Sequence, residues 1–61
     1  MIAPGDMVQL VGDNHYCHRV YIILEYLRNS QVYDMYCLDT GSIVWDNAGR
    51  LNDPEHYRKL A

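Results

Sequence analysis

The chain has 61 residues, 49% of them hydrophobic and 21% charged, with a formal net charge of −3. That is one globular domain over residues 1–61, burying only about 60% of the surface its unfolded form exposes, and it leaves no room for a deep substrate pocket with a separate catalytic shell. The acidic balance disfavours nucleic acid, whose phosphates need a basic patch; of Arg19, Arg28, Arg50, Arg58 and Lys59 only the last two are adjacent.

Met1-Ile2-Ala3 is a short lead-in, and Pro4-Gly5-Asp6 is a turn that launches a strand over Met7–Val11. Gly12-Asp13-Asn14 breaks that strand, and His15–Arg19 is polar and irregular. Val20–Leu27, VYIILEYL, is the strongest apolar run. Val20, Ile23, Leu24 and Leu27 fit helical spacing, but the β-branched content and the turn-prone flanks favour a strand paired on both edges. Arg28-Asn29-Ser30-Gln31 is the loop that follows.

Val32–Trp45, VYDMYCLDTGSIVW, is the centre of the chain. Val32–Leu38 and Ile43-Val44-Trp45 carry the aromatic and β-branched residues that suit a pleated, half-buried surface. Asp39-Thr40-Gly41 joins them as a turn, Asp39 accepting local backbone bonds and Gly41 tolerating positive φ. Alternation sets Tyr33, Met35 and Cys37 on one face and Asp34, Tyr36 and Leu38 on the other. Neither face is cleanly polar, which suits a curled sheet.

Asp46-Asn47-Ala48-Gly49 reads as a further turn. Asn52-Asp53-Pro54-Glu55 is a helix-start signal with too few residues after it for more than a 3-10 turn, and Tyr57–Leu60 is a last short strand. The expected fold is all-β: five short strands, a tight central hairpin and a 3-10 turn before the last strand, in a small open barrel. Its core is expected to include Val8, Leu10, Ile22, Leu24, Met35, Val44 and Leu51, with Leu24→Ala costing about 2–5 kcal/mol.

Pro4-Gly5-Asp6-Met7-Val8 resembles the opening of SH3-like barrels, and Ile22-Ile23-Leu24-Glu25 resembles their second strand. Tyr36-Cys37-Leu38-Asp39-Thr40-Gly41 with Ile43-Val44-Trp45 is similar to the third and fourth strands of Tudor-like and small phage SH3-like proteins. Tyr21 stands where such barrels often carry a glycine. The resemblance implies a five-stranded SH3-like barrel and is compatible with a phage or bacterial source, but a fold does not carry an activity with it.

Two cysteines, Cys17 and Cys37, are too few for a secreted disulfide scaffold. No apolar run is long enough for a signal peptide or membrane span. A free-standing cytoplasmic protein with no membrane attachment is expected. His15, Cys17, His18 and Cys37 are the only cluster with metal-ligand character, and the H-x-C-H spacing is cramped for a zinc tetrahedron, adjacent Cys17 and His18 rarely reaching one ion together. No metal and no cofactor are expected. Cys17 or Cys37 with a histidine lacks an oxyanion hole and an orienting third group, and the carboxylates sit mostly at turns. No enzymatic activity is expected.

The aromatics are more informative. Six tyrosines and Trp45 without any phenylalanine is an unusual choice for a core, because buried hydroxyls need partners. Several are therefore expected at the surface, where tyrosine and tryptophan favour protein recognition. The leading expectation is a non-enzymatic module binding a protein partner, or another copy of itself, with Tyr21, Tyr33, Tyr36 and Trp45 as binding residues. A homo-oligomer is the simplest case, with Tyr33, Tyr36 and Trp45 in the contact. Two alternatives belong to other classes: a nucleic-acid-binding small barrel, and a Tudor-like reader in which Tyr21, Tyr36 and Trp45 cage a methylated cation.

Overall fold

The computed structural model describes residues 2–11 and 18–61. The strands are β1 (Met7–Leu10), β2 (Val20–Leu27), β3 (Val32–Cys37), β4 (Ile43–Asn47) and β5 (Tyr57–Lys59), with one helical turn, α1 (Ala48–Leu51), between the last two. They form one antiparallel sheet in the order β4-β3-β2-β1-β5. The all-β expectation holds at that level. The break at residues 12–14 and much of the polar segment after it, including His15 and Cys17, lie outside the described residues.

The opening turn is built as its residue types require. Gly5 has φ +93°, a conformation glycine adopts without a Cβ clash. Its N–H donates to the Ile23 carbonyl at 2.8 Å, and the Ile23 N–H donates to the Asp6 carbonyl at 2.9 Å. The turn thus carries the pairing of β1 and β2 past the end of β1.

The inner face of the sheet holds the core. Val8 faces Tyr21, Tyr21 faces Cys37, and Ile23 faces Met35 across neighbouring strands. All are buried, together with Leu10, Tyr33, Tyr57, Leu51 of α1 and Ile2 of the lead-in. Val8, Leu10, Met35 and Leu51 match the expected core. Ile22, Leu24 and Val44 do not, being half-buried, 44% and 37% exposed respectively.

The reason for β2 is parity. Its inward residues are Tyr21 and Ile23, and a bulge between Ile23 and Glu25 leaves Leu24 without a partner on β3. A bulge inserts one extra residue and reverses which side chains face in beyond it. Leu24→Ala is therefore a surface change. Val44 does lie opposite Met35, but on the outermost strand, where one side has no neighbour.

α1 also departs from expectation. It starts one residue after Asn47, whose side chain accepts the Arg50 N–H at 2.7 Å. The expected 3-10 turn at Asn52–Glu55 is instead a hydrogen-bonded turn: Asp53 accepts the Glu55 N–H on its side chain and the His56 N–H on its carbonyl, both at 2.9 Å. The β1, β3 and last strands each end one residue earlier than expected, and β4 runs two residues further.

The two edge strands are tied by one side-chain bond. The Tyr57 hydroxyl on β5 donates to Asp46 Oδ2 on β4 at 2.8 Å. The sheet thus bends its outer strands toward each other without a backbone ladder between them.

Candidate interaction surface

β3 and β4 place six side chains on the outer face by simple alternation. Register sets Tyr36 opposite Ile43 and Asp34 opposite Trp45, so Tyr36 and Trp45 are diagonal neighbours. Ile43 and Trp45 are each 67% exposed and Tyr36 is 38% exposed. Beside them is a hollow of about 330 Å³ lined by Leu27, Ser30, Val32, Asp34 and Trp45. Contiguous apolar surface of this kind marks interaction sites more often than isolated exposed residues do.

Charge adds a second feature. Asp34 pairs with Trp45 on one side and with Glu25 of β2 on the other. Like charges directly opposite in a sheet are destabilising. The pair puts Asp34 beside the exposed indole and Glu25 one strand further on, which suits a partner with cationic side chains.

Of the four expected binding residues, the structure brings Tyr36 and Trp45 together and separates the other two from them. Tyr21 faces Cys37, the residue after Tyr36, so its ring is on the inner face. It is buried and meets Tyr57 edge to face at 6.2 Å and 69°. Tyr33 is buried against Tyr26, ring centroids 4.8 Å apart, and its hydroxyl donates to the Ile2 carbonyl at 2.9 Å. Tyr33 is thus a core residue that fastens the lead-in, not an outer contact residue. A cage of Tyr21, Tyr36 and Trp45 would need rings on both sides of the sheet. Asp34 was already set on the face of Tyr36 by alternation, while Ile43 and Val32 join the surface unannounced; period-two alternation from Trp45 was the signal for Ile43.

On the inner side, β4 and β5 leave an opening of about 430 Å³ whose lining includes Arg19, Tyr21, Asp46, Arg50 and Tyr57, with Trp45 at its rim as well as at the outer hollow. Burial pushes the Tyr57 phenol well above its ordinary value, and the neighbouring Asp46 carboxylate raises it further. Burial likewise raises Tyr21, with Arg19 pulling the other way. Arg50 Nε lies 3.4 Å from Asp46.

The other cations have structural partners or lie elsewhere. Lys59 Nζ is 3.4 Å from Asp6, Arg58 donates to Gln9 at 3.0 Å, and Arg28 sits in the β2–β3 turn. Arg58 and Lys59 are on β5, at the sheet edge opposite Trp45.

Cys37 is buried inside the hairpin turn. Burial raises its thiol, but donors from Thr40 and Asp39, with the Arg19 charge, outweigh that and leave it below its ordinary value. Of the residues considered as metal ligands, His15 and Cys17 lie outside the described residues. Among those described, no three His, Cys, Asp or Glu side chains converge on one point. No helix among the described residues is long and apolar enough to cross a membrane. No family model matches the chain, and no curated protein or solved structure matches it.

Proposed function

We propose that this chain is a non-enzymatic interaction module with an SH3-like barrel fold, and that it binds a protein segment on the outer face of β3 and β4. The observation that carries the reading is that Ile43 and Trp45, two apart on β4 and each 67% exposed, lie beside Tyr36 on one face. The strand order and the Tyr57–Asp46 tie between the edges support the barrel. The partner is an extended segment with apolar side chains for the hollow beside Trp45 and a lysine or arginine for Asp34 and Glu25.

Trp45 is the only tryptophan, so it reports its own coverage. A display selection of random peptides on the immobilised protein, counter-screened on Trp45→Ala, is expected to enrich basic-apolar sequences. Those peptides should shift Trp45 emission to the blue and lose at least about tenfold in affinity on Trp45→Ala, the effect of a modest hot spot. Enrichment that is indifferent to Trp45→Ala, or tight binding of a single-stranded oligonucleotide in place of peptides, overturns the reading.

A further inference from the structure

We infer that β4 is also a docking edge for a second copy of this chain, the two β4 strands pairing antiparallel about a two-fold axis at Val44. The inference goes beyond the reading above, since it depends on the backbone edge and not on a foreign segment.

The sheet has two edges, and they differ. β5 is three residues long and carries Arg58 and Lys59, the short, charged edge by which proteins discourage strand addition. β4 is five residues long, begins Ile43-Val44-Trp45, and has no lysine, arginine or proline.

The free backbone groups of β4 follow from the ladder. At one end the Cys37 N–H donates to the Ser42 carbonyl, and at the other the Ala48 N–H donates to the Gln31 carbonyl. Both pairs share the register of β3 and β4. In an antiparallel ladder hydrogen-bonded pairs alternate with non-bonded ones. Val44 and Asp46 therefore exchange bonds with Met35 and Tyr33, while Ile43, Trp45 and Asn47 direct their N–H and C=O groups away from the sheet. The Asn47 N–H is taken by Asp46 Oδ1 at 2.8 Å. Ile43 and Trp45 remain.

Those two positions are self-complementary. A two-fold at Val44 sets Ile43 opposite the second copy's Trp45 and Trp45 opposite the second copy's Ile43, each pair exchanging both backbone bonds. Ile43 and Trp45 share the outer face, so each indole also packs on an isoleucine across the new seam, a favourable aromatic–β-branched pair. Asp46 falls opposite Ser42, so no like charges meet. Centring the axis on Trp45 would require the Asn47 N–H, and centring it on Ile43 would set Trp45 against Gly41 in the turn.

A seam of one short strand per copy is at the small end of interface sizes, below about 1,200 Å², which places it among weak associations. Dissociation constants of weak pairs lie on the order of tens of micromolar.

The test is sedimentation velocity over a concentration series for the parent and Ile43→Pro, with amide hydrogen exchange on the parent. Proline is tolerated at the first residue of an edge strand, and here it removes only an outward N–H. The parent is expected to pass from monomer to dimer as concentration rises, with the Ile43 and Trp45 amides gaining protection in step. Ile43→Pro should stay monomeric with an unchanged far-ultraviolet spectrum. Three results overturn the inference: a monomeric parent at about 1 mM, a hundredfold below which weak pairs already dissociate; assemblies that grow past the dimer, as head-to-tail pairing of β4 with β5 would; or a parent dimer with unprotected Ile43 and Trp45 amides. The exchange readout needs no variant, so misfolding of Ile43→Pro does not blunt it. Peptide binding is measured on dilute monomer, so the module can fail at either test alone.

Discussion

Tyr57 has its ring in the core and its hydroxyl on the Asp46 carboxylate, 2.8 Å away. Burial first, and Asp46 second, raise its phenol far above the ordinary 10.0. The native state therefore holds this proton more tightly than the unfolded chain does. The stability it contributes is fully present below about pH 10 and is lost as pH climbs beyond that value toward the raised one. An alkaline unfolding series should show this loss, and Tyr57→Phe should remove most of it. At neutral pH Tyr57→Phe should cost about 1.5 kcal/mol, the lower end for a hydrogen bond to a charged group because the site is partly open.

A second prediction at this scale concerns β2. Ile23→Ala should cost about 2–5 kcal/mol, as deletion of a fully buried side chain does, and Leu24→Ala about 0.5 kcal/mol. Urea denaturation of both variants checks the order. Sequence reasoning put Leu24 in the core and did not single out Ile23, for a physical reason. VYIILEYL is apolar on both faces, so its pattern does not say which parity faces in. The bulge that decides depends on the pairing of β2 with β3 and the Pro4–Asp6 turn, which are not local to the strand. The tyrosine excess was legible as a problem of unsatisfied hydroxyls. Its solution was only partly an exposed one, because Ile2 and Asp46 supply acceptors for Tyr33 and Tyr57 from distant parts of the chain.

At the level of elements, the two hairpin turns are built alike. Gly41 donates its N–H to the Cys37 carbonyl at φ +72°, and Gln31 donates to the Leu27 carbonyl at φ +55°, both at 2.8 Å. Only one of them has a glycine at the left-handed position. Gly41→Ala should destabilise by about 1 kcal/mol, and Gln31→Gly should stabilise by about 0.5 kcal/mol, the left-handed strain relieved less the extra freedom of the unfolded chain. Thermal melts of the pair check the opposite signs.

α1 depends on its cap in the same local way. Asn47→Ala should cost about 1 kcal/mol by freeing the Arg50 N–H, read as a lowered melting temperature. The central hairpin was legible because Asp39-Thr40-Gly41 has a mechanism for turning and both flanks are strand-like. α1 was not, because Asp46-Asn47-Ala48-Gly49 satisfies turn and cap chemistry equally, and one helical turn has no period to detect. Asn52-Asp53-Pro54-Glu55 reads as the start of a 3-10 turn but forms a hydrogen-bonded turn, because the chain leaves it for β5 before a helix can form.

Across the whole molecule, the outer face of β3 and β4 matters because it carries Ile43 and Trp45, the most exposed large hydrophobics among the described residues. β5 covers one edge with charge, the inner face is buried except at the opening beside Tyr57, and the cations of β5 and α1 have carboxylate or amide partners nearby. Leu24, Leu38 and Leu60 are exposed elsewhere, each less than Ile43 and Trp45, which lie beside Asp34. That Tyr36 and Trp45 share the outer face follows from the register that sets Tyr36 opposite Ile43, which alternation along either strand does not give. That Tyr33 does not was legible in the alternation along β3, which set it on the face away from Tyr36 and so against its choice as a contact residue; that Tyr21 does not was hidden in the parity of β2.

The most direct measurement is amide chemical-shift mapping of the protein, kept dilute enough to be monomeric, with the most enriched display peptide. The module predicts that the largest changes fall on Val32, Asp34, Tyr36, Ile43 and Trp45, and that they diminish at high salt as the screened carboxylates release the peptide's cations. Changes centred instead on Tyr21, Arg50 and Tyr57 at the inner opening, or on Arg58 and Lys59 at the β5 edge, would contradict it.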